Sequence, residues 1–307
     1  MDLILLVSLL RAGIKMAVPL LVTSIGEIFA ERAGVINIGL EGMMLTGALG
    51  GMLGSYFTGS PWLGLLIGML AGLLLAGLFS VAAVHLGADQ VVTGAAINLL
   101  AFGLTGMLYR RIFGVTGTAL TVETFTPVVL PGIERIPLLG DLISGHAAPV
   151  YIGFLLVPVA SWLLFHTALG LSIRAVGEYP KAADTAGISV YRIQHGCVLI
   201  SGALAGVAGG YLSLAHANTF IEGMSAGRGF IALAIVIFGR WHPVGAMGAA
   251  LLFGLANAVQ FQFQAIGAAI PYQFFLMLPY VLTLAALVLY AGRARPPAAL
   301  AQAYERR

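Results

Sequence analysis

Polar side chains interrupt otherwise apolar runs at Asn37, Glu41, Thr46, Thr93, Asn98, Asn257 and Gln260, with Gln262 and Gln264 just past the last run. A polar group in hydrocarbon usually faces the bundle interior or a water-filled path, because leaving it unpaired costs several kcal/mol. The set is mostly amide and hydroxyl, and Phe220, Phe261 and Phe263 lie nearby. Such a lining suits an uncharged, hydroxyl-rich solute, and a proton or sodium carrier would be expected to show more buried carboxylates. Asn37, Glu41, Thr93, Asn98, Asn257 and Gln260 are therefore taken as translocation-path residues, with Asn98 and Asn257 expected to face the path. The alternative for each is a helix-to-helix hydrogen bond, worth ~0.6 kcal/mol on average.

Other chemistries find no support. Gly223-Met224-Ser225-Ala226-Gly227 matches the G-x-S-x-G nucleophile elbow, but that motif needs a strand before it, a helix after it and acid and histidine partners. The six histidines never pair at i,i+3 or i,i+4, so no metal site is predicted. One cysteine, Cys197, excludes an internal disulfide. Neither lysine, Lys15 or Lys181, follows a glycine, so no G-K-[ST] phosphate loop exists. If ATP drives this protein, another chain binds it. The basic residues are too scattered to track nucleic acid.

The elements that must carry these residues are membrane helices. Apolar residues make up 60% of the 307 and charged residues 9%, against about 25% charged in ordinary globular proteins. Mean hydropathy is +0.99. The start of the chain has no basic region before its apolar stretch, so no cleaved signal peptide is expected. Crossing about 30 Å of hydrocarbon takes about 20 helical residues. Residues 62–86, 90–109, 149–167, 195–215, 243–261 and 274–292 meet that length, as does 38–57 with Glu41 near its start. Residues 3–25 are apolar but carry Arg11 and Lys15 one turn apart on one face. Residues 229–239 are too short to span and end at the breaker Arg240-Trp241-His242-Pro243, which predicts a half-helix or a short span extended from Met224. The fold class is thus an all-α polytopic integral membrane protein, one transmembrane domain over 1–307 with about eight or nine membrane helices, broken or half helices among them.

Charge sets the sidedness. Residues 111–148 are rich in Pro and Gly and, beyond Arg111, carry Glu123, Glu134, Arg135 and Asp141, which predicts an irregular extracytoplasmic loop. Residues 168–194 carry Arg174, Lys181 and Arg192, and the tail 293–307 carries Arg293, Arg295, Arg306 and Arg307. The positive-inside rule places both in the cytoplasm. The N-terminus stays open, since the Arg11/Lys15 pair and the parity of crossings point to opposite sides.

Glycines recur at four-residue spacing at 64, 68 and 72, at 202, 206 and 210, and at 47 and 51. Such rows let backbones pack closely inside a bundle. An internal echo, Leu40-Glu41-Gly42-Met43 against Ile221-Glu222-Gly223-Met224, fits the repeated halves and broken helices of transporters.

Within 168–194, Pro180 followed by Lys-Ala-Ala-Asp-Thr-Ala and Gly187 has the start and stop signals of a short helix. Small residues on one side and charge on the other suit a docking knob.

Arg174-Ala175-Val176-Gly177-Glu178, Ala182-Ala183 and Gly187-Ile188 together resemble the coupling segment of bacterial ATP-binding cassette (ABC) importer permeases. The stretch 31–44, Glu-Arg-Ala-Gly-Val-Ile-Asn-Ile-Gly-Leu-Glu-Gly-Met-Met, is similar to the signature of their nucleoside and simple-sugar branch, related to branched-chain amino acid permeases. Gln90 through Asn98 and Gly229 through Gly239 match that branch too. The resemblance implies a membrane permease subunit of the bacterial inner membrane that is not itself an enzyme. Its implied partners are a second homologous permease, cytoplasmic ATPases holding ATP and Mg, and an extracytoplasmic solute-binding protein. It also implies a nucleoside as solute, with simple sugars next. It assigns Arg174, Gly177, Glu178, Ala183 and Gly187 to ATPase coupling, with Ala182 adding to the small docking face; Asn37–Glu41 become structural or path-lining. The competing class, an ion-gradient-driven secondary transporter, also uses broken helices but gives no reason for such a loop.

Overall fold

The computed structural model describes residues 3–114, 120–129, 139–266 and 295–304, with Gly132, Met277 and Val281. The membrane helices are α1 (Leu3–Arg32), α2 (Leu40–Thr58), α3 (Pro61–Ser80), α4 (Gln90–Phe113), α6 (Ala148–His166), α9 (Val190–Tyr211), α10 (Arg228–Phe238) and α11 (Pro243–Ile266). Between them lie α5 (Leu139–Ile143), α7 (Ala168–Glu178) and α8 (Pro180–Thr185), and a two-residue antiparallel pair, β1 (Pro127–Val128) with β2 (His146–Ala147). Single π-helical turns extend α3 to His85 and α9 to Ala217. Among the described residues six helices are long and apolar enough to cross a membrane, and α10 is the short apolar one. The expected span 274–292 and most of the tail 293–307 lie outside the described residues.

Two expectations change. The first helix does not end near residue 25 but continues to Arg32, carrying Glu27 and Glu31 into the bundle. Residues 168–179 are not a plain connector, because α7 precedes the expected short helix, with Thr167 capping it through a 3.1 Å bond from Gly170 N–H. Its apolar positions Ile173 and Val176 face inward while Leu169 and Leu171 stay exposed.

The two ends of α1 are tied to different parts of the chain. The Arg11 guanidinium donates to the Ser144 and Gly145 carbonyls at 3.1 and 2.9 Å. The Arg11 end of α1 thus lies with Ser144 and Gly145, and its Arg32 end lies with α7. Pro19 in mid-helix has no N–H for the Lys15 carbonyl one turn back. The Tyr211 hydroxyl donates to that carbonyl at 3.2 Å and ties α1 to α9.

α2 sits at the centre, wrapped by α3, α4 and α9, and most of its residues are buried. Three glycine rows meet there. A methyl group at Gly51 would stand 2.8 Å from the Gly210 α-carbon, and one at Gly68 2.6 Å from the Gly47 carbonyl oxygen. The rows close-pack α2, α3 and α9 against one another inside one chain.

Candidate functional site

Residues 33–39 are the structural problem this fold must solve. They run between α1 and α2 as non-helical backbone in the bundle, where each unpaired N–H or C=O would be expensive. Side chains from three helices serve them. Gln90 accepts from Ile36 N–H at 2.8 Å, Glu27 accepts from Asn37 N–H at 2.7 Å, and Gln194 donates to the Ala33 carbonyl at 3.2 Å. Asn98 donates to the Ile38 carbonyl at 3.0 Å and accepts from Gly42 N–H at 2.8 Å. Asn37 accepts from Gly39 N–H and donates to the Ser201 hydroxyl, which in turn donates to Glu27. The signature stretch is thus an irregular segment held by buried amides and one carboxylate.

Glu41 does the corresponding work for the half-helix. Its two carboxylate oxygens accept from Gly227 N–H at 2.8 Å and Gly229 N–H at 2.7 Å. It therefore caps the N-terminus of α10 from the first turn of α2, with a negative charge where the helix dipole is positive. Gly229 allows this approach, since a methyl there would stand 2.5 Å from the Glu41 backbone nitrogen. The sequence echo does not extend to role: Glu41 is buried, whereas Glu222 is exposed and paired with Arg110.

Of the expected path residues, Asn37, Glu41 and Asn98 are brought together and their polar atoms hold backbone. Thr93 lies a helical turn from the start of α4 and bonds back to the Asp89 carbonyl. Asn257 and Gln260 lie apart on α11, Asn257 half-buried and Gln260 buried. We predict that Asn98→Leu, which strands two buried backbone groups at about 1–3 kcal/mol each, lowers the amount of folded protein recovered from membranes. Normal abundance with defective uptake would return Asn98 to the path.

The expectation of few buried carboxylates fails. Glu27, Glu31 and Glu41 are all buried. Glu31 accepts from the Trp241 indole, and Arg32 donates to the Trp241 carbonyl at 3.0 Å. These bonds clamp the α10–α11 turn, where Arg240 and Trp241 are left-handed at φ 56° and 53°, onto the end of α1. With the first apolar run ended at residue 25, neither Glu27 nor Glu31 counts as an intramembrane carboxylate; their i,i+4 spacing on a continued helix is the available signal.

The coupling residues fall into two groups. Gly177 packs against the Arg32 carbonyl so closely that no side chain fits. Arg174 lies over the Phe165 ring at 5.2 Å, with Arg32 at 5.6 Å on the same ring and His242 stacked on it. Burial, then the Arg32 charge, pushes the His242 pKa down. Ala183 is 4% exposed and packs with Val176, Val190 and Tyr304. Its methyl faces this chain and not outward. Lys181, Ala182 and Gly187 form the exposed side, with Gly187 at φ 83° ending α8 as the sequence predicts. Tail residues strap the element down: Ala299 N–H donates to the Gly177 carbonyl at 2.9 Å, Ala301 N–H to Gly34 at 3.0 Å, and the Tyr304 hydroxyl to Asp184 at 3.0 Å.

A helical membrane bundle with a capped half-helix has the broken-helix architecture that transporters use. The chain belongs to the family described as branched-chain amino acid transport system / permease component, whose pattern matches residues 9–287. It is similar to the guanosine ABC transporter permease protein NupQ of Bacillus subtilis, at 41% identity over 97% of each chain. It is also similar to the putative glucose ABC transporter permease protein TsgC13 of Haloferax volcanii, at 40% over 85% of this chain and 79% of the relative. The nucleoside ABC transporter permease protein NupC of Lactococcus lactis is 39% identical over 92% and 91%. Each of these three organisms holds a second, more distant relative at 27%, 28% and 25% respectively. No solved structure matches the chain. This is an ABC permease subunit and a multi-pass membrane protein, not an enzyme, and it works with a second permease and a separate ATPase that binds the ATP.

Proposed function

We propose that this subunit translocates a nucleoside, delivered by an extracytoplasmic binding protein, in a heterodimer with a diverged second permease. The observation that carries the reading is end-to-end similarity to permeases named for guanosine and nucleosides. The chemistry agrees with it in part: the path candidates Thr93, Asn257 and Gln260 are a neutral hydroxyl and two neutral amides, while the cations Arg11 and Arg228 are bonded to backbone carbonyls. The α7–α8 knob is the ATPase-docking element in this reading, with Arg174 and Gly177 fixing it to α1 and α6, and Ala182 and Gly187 on the contacting side. Glu178, exposed beside Arg32 and Arg174, supplies a charged contact at its edge. Thr93, Asn257 and Gln260 remain the path candidates whose side chains hold no 33–39 backbone.

A simple sugar is the second reading, favoured by the similarity to a permease named for glucose. Vesicles holding the reassembled transporter should accumulate labelled guanosine on ATP addition in preference to ribose or glucose. Preference for glucose selects the second reading, and preference for leucine over all three overturns both.

A further inference from the structure

At the end of the bundle away from the knob, one face of α4 is neither packed nor purely apolar. Phe102, Gly103, Gly106, Met107 and Arg110 fall on it at helical spacing and, with Arg111 and Glu222, line a trough of about 630 Å³. That volume lies in the range of small-molecule sites, about 300–1,000 Å³. The trough rises about 12 Å along α4 at 1.5 Å per residue, from the Phe102 ring to the Arg110 guanidinium. Gly103 has open space where a side chain would start, and at Gly106 a methyl would meet only the Glu222 carboxylate, at 3.6 Å. Phe102 and Met107 are 46% and 67% exposed.

The rim is a fork-to-fork ion pair. Arg110 Nε donates to Glu222 Oε1 at 2.7 Å and its Nη2 to Oε2 at 2.6 Å, with the side chains 62% and 41% exposed. Exposed charges of both signs are poorly suited to lipid contact. Arg110 and Glu222 neutralise each other, and Arg111 adds one further cation to the lining. The pairing engages two of the five guanidinium N–H donors and leaves about three free, beside carboxylate oxygens with spare lone pairs. An aromatic ring below and a donor–acceptor fork above can hold the two sides of a polar ring compound: its apolar face and its hydroxyl edge. Glu222 also begins the turn leading to α10, whose N-terminus Glu41 caps, so the trough leads toward the half-helix.

We infer that this trough is the outer solute site of the permease, holding the hydroxyl-bearing ring of an uncharged pentose or hexose compound between Phe102 and the Arg110–Glu222 pair. The inference rests on the nucleoside or sugar reading above. Two measurements on the complete transporter test it. Gly106→Leu fills the trough without touching the buried packing and is expected to raise the uptake KM at least tenfold. A Gly106→Cys thiol should react with a membrane-impermeant thiosulfonate, the native Cys197 being buried, and saturating guanosine or glucose should slow that reaction severalfold. The solute that protects identifies the ring as pentose or hexose.

Wild-type uptake kinetics in Gly106→Leu would overturn the site. So would a thiol that reacts equally with and without solute, or one shielded in both conditions, as a lipid-facing or partner-covered surface would be. Failure of the wild-type complex to accumulate either solute would instead sink the substrate reading, a result separate from these.

Discussion

Ala182→Glu should insert at normal abundance and yet lose its ATPase subunits. Ala182 lies on the exposed side of α8, so the substitution leaves this chain's own packing intact. In the docked complex it buries a carboxylate without a partner, at about 3 kcal/mol or more, roughly 100-fold in affinity. Solute-stimulated ATP hydrolysis and uptake should fall together, and the ATPase should be lost on washing. Ala183→Glu is the contrasting control, because Ala183 points into the Val176–Val190–Tyr304 cluster. It should reduce folded protein before any question of docking arises. Purified Ala182→Glu complex with its ATPase subunits and full stimulated turnover would remove α8 from the docking surface.

The difference between those neighbours shows where sequence reading stops. The short helix was legible because Pro180 and Gly187 are local start and stop signals. Which of two adjacent alanines faces inward was not, since that depends on Val190 and Tyr304, the latter about 120 residues away. The long helices were legible from continuous apolar runs, as were the glycine rows, although which rows meet is tertiary. The half-helix was legible from its length and the following breaker. α7 was hidden by Gly170 and Gly177, which weaken helix propensity but are present because α7 passes against the Leu163 and Arg32 carbonyls. In the signature stretch, residue types announced buried polarity. That Asn98, Gln90 and Gln194 complete the hydrogen bonding of 33–42 required the fold, because no local pattern pairs residues 50 to 160 positions apart.

Glu41 is where removal of one side chain should do most harm. Its carboxylate holds two N–H groups of the α10 start, and the helix end carries a partial positive charge with no other acceptor of full charge bonded to it among the described residues. Glu41→Ala strands both donors in a buried site, at about 1–3 kcal/mol each, and opens a gap between α2 and α10. That is a large fraction of a stability of about 5–15 kcal/mol. Glu41→Gln keeps one acceptor oxygen but turns an NH2 group toward the other backbone N–H, so it should fall between wild type and Glu41→Ala. The measurement is thermal retention of the detergent-solubilised permease, with uptake alongside. The expected order is wild type, then Gln, then Ala, for both. If Glu41→Ala retained wild-type thermal stability while uptake alone was lost, the carboxylate would belong to the solute path and not to the cap; the half-helix would then need another means of satisfying its first turn.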